Sequence, residues 1–341
     1  MPCLLINARL PAETAERLRA IPNLRVSFSE RGLAEHHAAV EFPPEEIRDV
    51  DLLVCTAPPK NFADMRALKF IQLASVGFGQ LYGLDIVSRG IRVANARGVY
   101  DTAIGEWNLA MMINLARDLR GMIRNQEHGI FEKLPRFAQE IRGSVVGLWG
   151  YGGIGRETAR LAKALGMKVH VYARGGIQPR RDTYAAAGTG DPEGRLPDNV
   201  FTTGQELEFL SGVDFLVLAL PLTPQSTGII GERELRALQP TAFVLNPARG
   251  PLIQEAALLR ALREGWIAGA ALDTHYYYPM PADHPLWRFP NVIMTPHISG
   301  SDLGPLFVER MSEILEHNVR QFLSGGALWN ELTPEELRGE R

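Results

Sequence analysis

One glycine-rich segment, Gly150-Tyr-Gly152-Gly153-Ile154-Gly155, constrains the fold of this chain more than any other stretch. It reads GxGxxG and has the flanks that motif needs. The apolar run Val145–Trp149 precedes it, and Ile154, Thr158, Leu161, Ala162 and Leu165 follow at helical spacing. The first glycine allows a tight turn out of a strand, the second lets backbone approach a pyrophosphate, and the third lets helix and strand pack closely. The helix that follows points its N–H groups and the positive end of its dipole at those phosphates. Strand, loop and helix in this order predict a dinucleotide-binding βαβ unit that holds its ligand at Gly150, Gly152, Gly153, Ile154 and Gly155.

The motif sits near the middle of 341 residues, so a further domain is expected around it. Before it, short apolar runs at Leu4–Ile6, Val26–Phe28, Leu52–Cys55, Phe70–Leu73 and Ile91–Ala94 alternate with helical patterns such as Ala12–Ala20 and Asn61–Leu68. One long helix is predicted from Asp101, its expected cap, to about Gly129. A second alternation carries strands at Val145–Trp149, Val169–Tyr172, Phe215–Leu220, Ala242–Leu245, Ala268–Leu272 and Val292–Met294, with Gly175–Asn199 read as a loop. A last helix is predicted over Leu306–Leu323, ending at Gly325-Gly326. The fold class is therefore α/β, with two doubly wound parallel-sheet domains. A net charge of −3, with both signs interspersed, gives no reason to expect a nucleic-acid or membrane partner. Cys3 and Cys55 stand in no metal or disulfide pattern, and no signal peptide or membrane span is apparent, so a cytoplasmic protein with a small ligand is expected.

The strand after the glycine loop bears on which dinucleotide is held. An acid at its end would grip the ribose 2′-hydroxyl of NAD. Here the chain reads Val171-Tyr172-Ala173-Arg174, and Arg174, with Arg180 or Arg181 behind it, suits a 2′-phosphate. NADP is therefore favoured over NAD, although a solvated loop of arginines gives the same pattern.

Reducing a 2-oxo acid needs a cation for the carboxylate and a proton donor for the developing alkoxide. Arg249 in Leu245-Asn-Pro247-Ala248-Arg249-Gly250 and His297 in Thr295-Pro-His297-Ile-Ser-Gly300 each follow a strand at the carboxyl edge of the second sheet, where such sheets bind ligands. Alone, each is equally a surface ion-pair residue or a structural histidine.

Together these segments resemble the D-isomer-specific 2-hydroxyacid dehydrogenase family. The likeness extends over nearly the whole chain through Leu68–Gly77, Gly150–Gly155, Leu220–Pro224, Asn246–Gly250, Ala271–Asp273, Asp283–Trp287 and Thr295–His297. The resemblance implies a Rossmann nucleotide-binding domain, residues 101–296, inserted into a flavodoxin-like substrate domain, residues 1–100 and 297–341. It implies NAD(P)-dependent interconversion of a 2-oxo acid and its D-2-hydroxy acid, of the glyoxylate or hydroxypyruvate reductase kind, by a homodimer. His297 is then the acid/base, and Arg249 clamps the substrate carboxylate with the backbone N–H groups of Val76 and Gly77. Asp273 contacts the carboxamide, while Thr102, Leu220, Pro221, Pro247, Ala248 and Gly300 lie along the cofactor. Tyr100 and Phe78 are candidate pocket walls.

One position departs from that family. Where it usually has a Glu paired to the catalytic His, this chain has Tyr278, and no carboxylate lies between Thr274 and Ala282. A phenol can orient the imidazole by a hydrogen bond but brings no negative charge to stabilise an imidazolium. The alternative is that Tyr276, Tyr277 and Tyr278 merely wall the pocket. The missing Glu also leaves room for a non-catalytic dinucleotide sensor like the related C-terminal-binding corepressors. A dehydrogenase of another small anion, formate or phosphite, fits less well. His36 and His37 are read as surface residues, and neither His275 nor His284 has a stronger claim to catalysis than His297.

Overall fold

The computed structural model describes residues 1–8, 10–32, 39–300 and 304–340; His36 and His37 lie outside them. The chain divides into two compact units. The first comprises Met1–Val99, Arg181–Ala186 and Asp302–Arg341. It opens with β1 (Cys3–Asn7), α1 (Ala12–Arg19), β2 (Arg25–Phe28), α2 (Pro44–Ile47), β3 (Leu52–Cys55), β4 (Phe70–Leu73) and β5 (Arg92–Ala94). All five strands run parallel in the order β2-β1-β3-β4-β5, the flavodoxin-like arrangement. Every residue of β1, β3 and β4 is buried, as strands covered on both faces require. Alternation sends Leu4 and Ile6 into one core and Cys3 and Leu5 into the other.

The second unit, Tyr100–Arg180 and Ala187–Ser301, starts with α3 (Asp101–Ala116) and α4 (Leu119–Glu127). The predicted single helix is broken because Asp118 takes a left-handed backbone (φ 47°). Its buried carboxylate is then held by the Arg136 backbone N–H at 3.1 Å and the Arg136 guanidinium at 2.6 Å. Burial alone would push this carboxyl up, but Arg136 outweighs it and holds it below its ordinary range. Asp101, the expected cap, is the first residue of α3, and Tyr100 precedes it as the cap residue.

The unit continues through β6 (Val145–Trp149), α5 (Gly153–Ala164), β7 (Lys168–Tyr172), β8 (Asn199–Phe201), α6 (Glu206–Ser211) and β9 (Phe215–Leu218). It ends with α7 (Glu232–Ala237), β10 (Phe243–Asn246), α8 (Glu255–Glu264), β11 (Gly269–Leu272) and β12 (Val292–Met294). Its seven parallel strands lie in the order β12-β11-β10-β9-β6-β7-β8. Counted from β6 this is the dinucleotide-binding order 3-2-1-4-5-6 with one more strand, and the order reverses between β6 and β9. Met112 and Leu115 of α3 and Ala159 and Ala162 of α5 cover one face; α6, α7 and α8 cover the other.

Strand β8 emerges from a stretch expected to be loop. The rest of that stretch is fixed by Arg156, whose buried guanidinium donates to the carbonyls of Tyr151 (3.1 Å), Gln178 (2.5 Å) and Asp191. The Tyr151 hydroxyl adds a bond to the Asp191 carboxylate at 2.7 Å. Six residues of the stretch, Arg181–Ala186, belong to the first unit. There the Tyr184 hydroxyl donates to Glu313 at 2.5 Å and the Tyr184 N–H to the Asn330 side chain at 3.1 Å.

After Ser301 the chain rejoins the first unit with α9 (Pro305–Ser324) and α10 (Pro334–Leu337). Gly325, at φ 74°, ends α9. His297–Gly300 belongs to the second unit, where Asp273 anchors that turn. Asn61–Leu68 forms one 3-10 turn, Phe62–Asp64, instead of a helix.

Candidate active site

The carboxyl ends of β6, β9, β10, β11 and β12 carry the candidate residues of the second unit, because parallel strands deliver their following loops to one edge. After β6, Gly150 has φ 102°, and a Cβ there would stand 2.5 Å from the Ala219 carbonyl oxygen. A Cβ on Gly155 would stand 2.6 Å from the Gly150 carbonyl oxygen. Both glycines are therefore demanded by the turn and by helix packing. Gly152 differs: its backbone is ordinary and a Cβ would meet nothing within 4 Å. Packing does not explain it, whereas a ligand pressed against the N-terminus of α5 does. The Thr102 hydroxyl, on the first turn of α3, is buried and bonds to nothing among the described residues. The loop fits a dinucleotide pyrophosphate on these observations.

At the end of β7, Ala173 leaves no acid. The exposed Arg174 guanidinium has no polar partner among the described residues, while Arg180 lies 3.5 Å from Asp101 at the start of α3. Arg181 falls in the first unit. After β9, Leu220 packs on the core, and the Pro221 carbonyl accepts from the Ser226 hydroxyl at 2.7 Å.

The turn after β12 presents His297 with φ 60°, a left-handed conformation that costs a non-glycine residue about 1 kcal/mol or more. Asp273, fully buried at the end of β11, holds it there. Its carboxylate accepts from the Thr295 hydroxyl at 2.6 Å, the Ile298 N–H at 2.9 Å and the Ser299 N–H at 3.0 Å. The ring of Tyr100 packs where a Cβ on Gly300 would stand, closing the far end of this turn.

The three tyrosines diverge. Tyr276 packs on the core, the Tyr277 hydroxyl donates to Glu255 at 3.2 Å, and the Tyr278 oxygen lies 3.1 Å from His297 Nδ1. The His275 N–H also donates to the Tyr278 oxygen, at 3.2 Å. Burial pushes the Tyr278 phenol above its ordinary pKa, and the nearby Arg249 charge pulls it the other way. The His275 ring is buried, with Nε2 2.8 Å from the Thr295 carbonyl oxygen, and His284 Nε2 lies 2.6 Å from Glu255; neither ring is bonded to His297.

Arg249 is presented by a residue that sequence reasoning quoted only as part of a motif. The buried Asn246 accepts through Oδ1 from the N–H groups of Ala248 (3.1 Å) and Arg249 (3.2 Å) and donates through Nδ2 to the Arg249 carbonyl at 2.8 Å. Its sequence signal was the Asn-Pro-Ala-Arg order, which suits a side-chain-closed turn. Pro247 is buried and Ala248 packs against the core. The guanidinium donates to the Ala248 carbonyl at 2.6 Å, and its other N–H groups have no acceptor among the described residues.

In the first unit, Val76 and Gly77 follow β4 and are half-buried. Asn95 donates to the Val76 carbonyl at 2.8 Å and the Ser75 hydroxyl to the Gly77 carbonyl at 2.8 Å. Their N–H groups meet no acceptor among the described residues and are available to an anion. Phe78 is buried in the core of that unit.

The family model for the D-isomer specific 2-hydroxyacid dehydrogenase NAD binding domain matches residues 109–299. A glyoxylate reductase of Thermofilum pendens is 32% identical over 303 residues, 85% of each chain. The crystal structure of a D-isomer specific 2-hydroxyacid dehydrogenase family protein from Aeromonas salmonicida is similar with a TM-score of 0.78 at 25% identity, covering 97% of this chain and 99% of that one. The D-isomer specific 2-hydroxyacid dehydrogenase of Xanthobacter autotrophicus, solved with NADPH and MES, gives a TM-score of 0.75 at 26% identity, covering 98% and 99%.

Proposed function

Because the chain belongs to the D-isomer-specific 2-hydroxyacid dehydrogenase family, we propose that it reduces a small 2-oxo acid to the D-2-hydroxy acid, and the reverse, with NADP favoured over NAD. The chain is an NAD(P)-dependent oxidoreductase; the substrate, the direction and the residue roles are our reading. The observation that carries it is the pairing of an Arg249 guanidinium, whose N–H groups other than the one donating to Ala248 have no acceptor among the described residues, with a His297 imidazole braced through Nδ1, both at one sheet edge.

The cofactor supplies or takes the hydride when bound. Gly152, Gly153 and the N-terminus of α5 hold its pyrophosphate, Thr102 offers a hydroxyl to it, and Arg174 takes the 2′-phosphate. Leu220, Pro221, Pro247, Ala248 and Gly300 line it. The NADPH seen in the Xanthobacter relative supports this preference. Arg249 fixes the substrate carboxylate, the Val76 and Gly77 N–H groups are assigned to substrate oxygens, and His297 exchanges the proton. We assign the first unit to the substrate and the second to the nucleotide, and glyoxylate-sized acids to the pocket, in line with the Thermofilum enzyme's name. A homodimer in the cytoplasm completes the proposal; two free, buried thiols suit a reducing compartment.

The test is turnover of glyoxylate, hydroxypyruvate and longer 2-oxo acids by the purified protein, with NADPH and NADH separately. Arg249→Ala should cost about a hundredfold or more in kcat/KM, the loss expected when a charge-assisted clamp is removed. Ala173→Asp should move preference towards NADH by about tenfold, ~1.4 kcal/mol. Tight cofactor binding without turnover would favour a sensor, and an NADH preference above about tenfold would overturn the reading of Arg174.

A further inference from the structure

The Tyr278 oxygen has two polar partners among the described residues, the His275 N–H and His297 Nδ1. The backbone N–H can only donate. A phenol has one hydrogen, and among the described residues Nδ1 is the one acceptor bonded to it. We propose that this arrangement fixes neutral His297 as the tautomer protonated at Nε2 and makes Tyr278 the proton reservoir for carbonyl reduction, with His297 as the relay. The inference rests on reading the chain as a 2-oxo acid reductase.

The consequence is an inversion of the usual histidine–carboxylate pair. A carboxylate accepts from Nδ1–H and leaves Nε2 bare in the neutral ring, so the ring donates a proton only as imidazolium. A phenol that donates to Nδ1 leaves the hydrogen on Nε2 in the neutral ring. During reduction the carbonyl carbon gains hydride, a hydrogen with two electrons, from a reduced nicotinamide, and the oxygen then needs one proton. The Nε2–H bond breaks towards that oxygen as the phenol O–H bond breaks towards Nδ1. One N–H and one O–H bond form in their place. His297 stays neutral throughout, in the other tautomer at the end, and a phenolate remains. Moving the phenol proton spares the ring from becoming an imidazolate. The transfer runs downhill because an alkoxide is a stronger base than a phenolate. A solvent proton arriving at Nε2 sends the Nδ1 proton back and resets the pair; Tyr278 is 61% exposed and close to water.

The groups facing the phenol suit this role. His297 and the His275 N–H bond to it; Arg249, from the loop after β10, favours the phenolate, and Asp273, at the end of β11, opposes it. Reduction through the relay persists until the phenol itself ionises, above its ordinary value of about 10.

Two measurements decide the matter. In 15N-detected NMR of the unliganded protein, above the pH at which the ring loses its charge, Nδ1 of His297 should be the unprotonated nitrogen, and in Tyr278→Glu the protonated one. In the pH profile of kcat for reduction, the wild-type alkaline limb should lie at least about one unit above that of Tyr278→Glu, and Tyr278→Phe should lose about 10²-fold or more at neutral pH. A wild-type Nδ1 that carries the proton in the neutral ring overturns the relay, as does a Tyr278→Glu limb above the wild-type one. Turnover with Nδ1 protonated sinks the relay alone. No turnover of any 2-oxo acid, with Nδ1 unprotonated, sinks the reaction reading and the relay with it. Should neither variant fold, the wild-type tautomer and limb still decide.

Discussion

A carboxylate with no solvent exposure needs compensation for its lost hydration, and Asp273 obtains it from three donors, two of them backbone N–H groups of the turn that carries His297. The same bonds keep His297 in its left-handed backbone, so the proposed catalytic position of His297 and the local stability depend on one side chain. Asp273→Asn should cost about 1–3 kcal/mol of stability, because the amide nitrogen cannot accept and leaves a backbone N–H unsatisfied. It should also lower kcat by more than tenfold, through loss of the imidazole's position. Thr295→Val removes a single bond and should lose less on both counts. Thermal melts beside steady-state kinetics check this; full activity in a folded Asp273→Asn protein would show the turn to be held by something else. Sequence assigned Asp273 to a cofactor carboxamide, on resemblance alone. Its hold on the turn was invisible there, because backbone donors leave no mark in the order of side chains. Tyr278 was legible as a departure, but its choice of His297, where Tyr277 chooses Glu255, depends on side-chain direction and needed coordinates.

At the scale of elements, the β6–loop–α5 unit separates glycines that packing demands from Gly152, which packing does not demand and which the proposal gives to the cofactor. Gly150→Ala brings a Cβ to 2.5 Å from a backbone oxygen at φ 102° and should destabilise the second unit by several kcal/mol. Gly152→Ala meets nothing within 4 Å and should melt within about 1 kcal/mol of wild type, yet bind the dinucleotide at least about tenfold more weakly. Calorimetric titration of both proteins with NADPH tests the pair; unchanged affinity in Gly152→Ala would remove that glycine from the phosphate site. This unit was fully legible because each requirement has its own residue type at a fixed offset. The core strands were legible too, since strands covered on both faces are uninterrupted apolar runs. Strand β8 was not: Asn199 and Val200 are exposed, and three residues make no periodic signal. The predicted long helix missed its break at Asp118, because the Arg136 that captures that side chain is distant in sequence. The segment between β7 and β8 is the loop that was expected, but its anchor was not legible: Arg156, the residue after the glycine motif, holds it through backbone carbonyls.

At the scale of the whole molecule, α4 is the element least accounted for by a single copy. None of its residues is buried, and nine residues are too few to form a stable helix in water alone. Its Leu119 and Ile123 are exposed, and the segment that follows carries Ile130, Phe131 at 90% and Leu134 at 83% exposure. Exposed apolar side chains close together in sequence are a common feature of interaction surfaces, and the proposed homodimer would cover this one. A second copy is the fitting cover: two-fold pairing sets a patch against itself, and a net charge of −3 offers little repulsion. Light scattering on a sizing column should therefore give about twice the 37.7 kDa of one chain at micromolar concentration. The double variant Phe131→Glu, Leu134→Glu should run at the single-chain mass, because a two-fold axis places each new carboxylate twice in one apolar contact. Both residues are so exposed that the substitution removes little internal packing, so the variant's fold, read by circular dichroism, should be unchanged. A wild-type protein at single-chain mass across the micromolar range would refute the dimer, and a double variant that remains paired would move the interface away from this face.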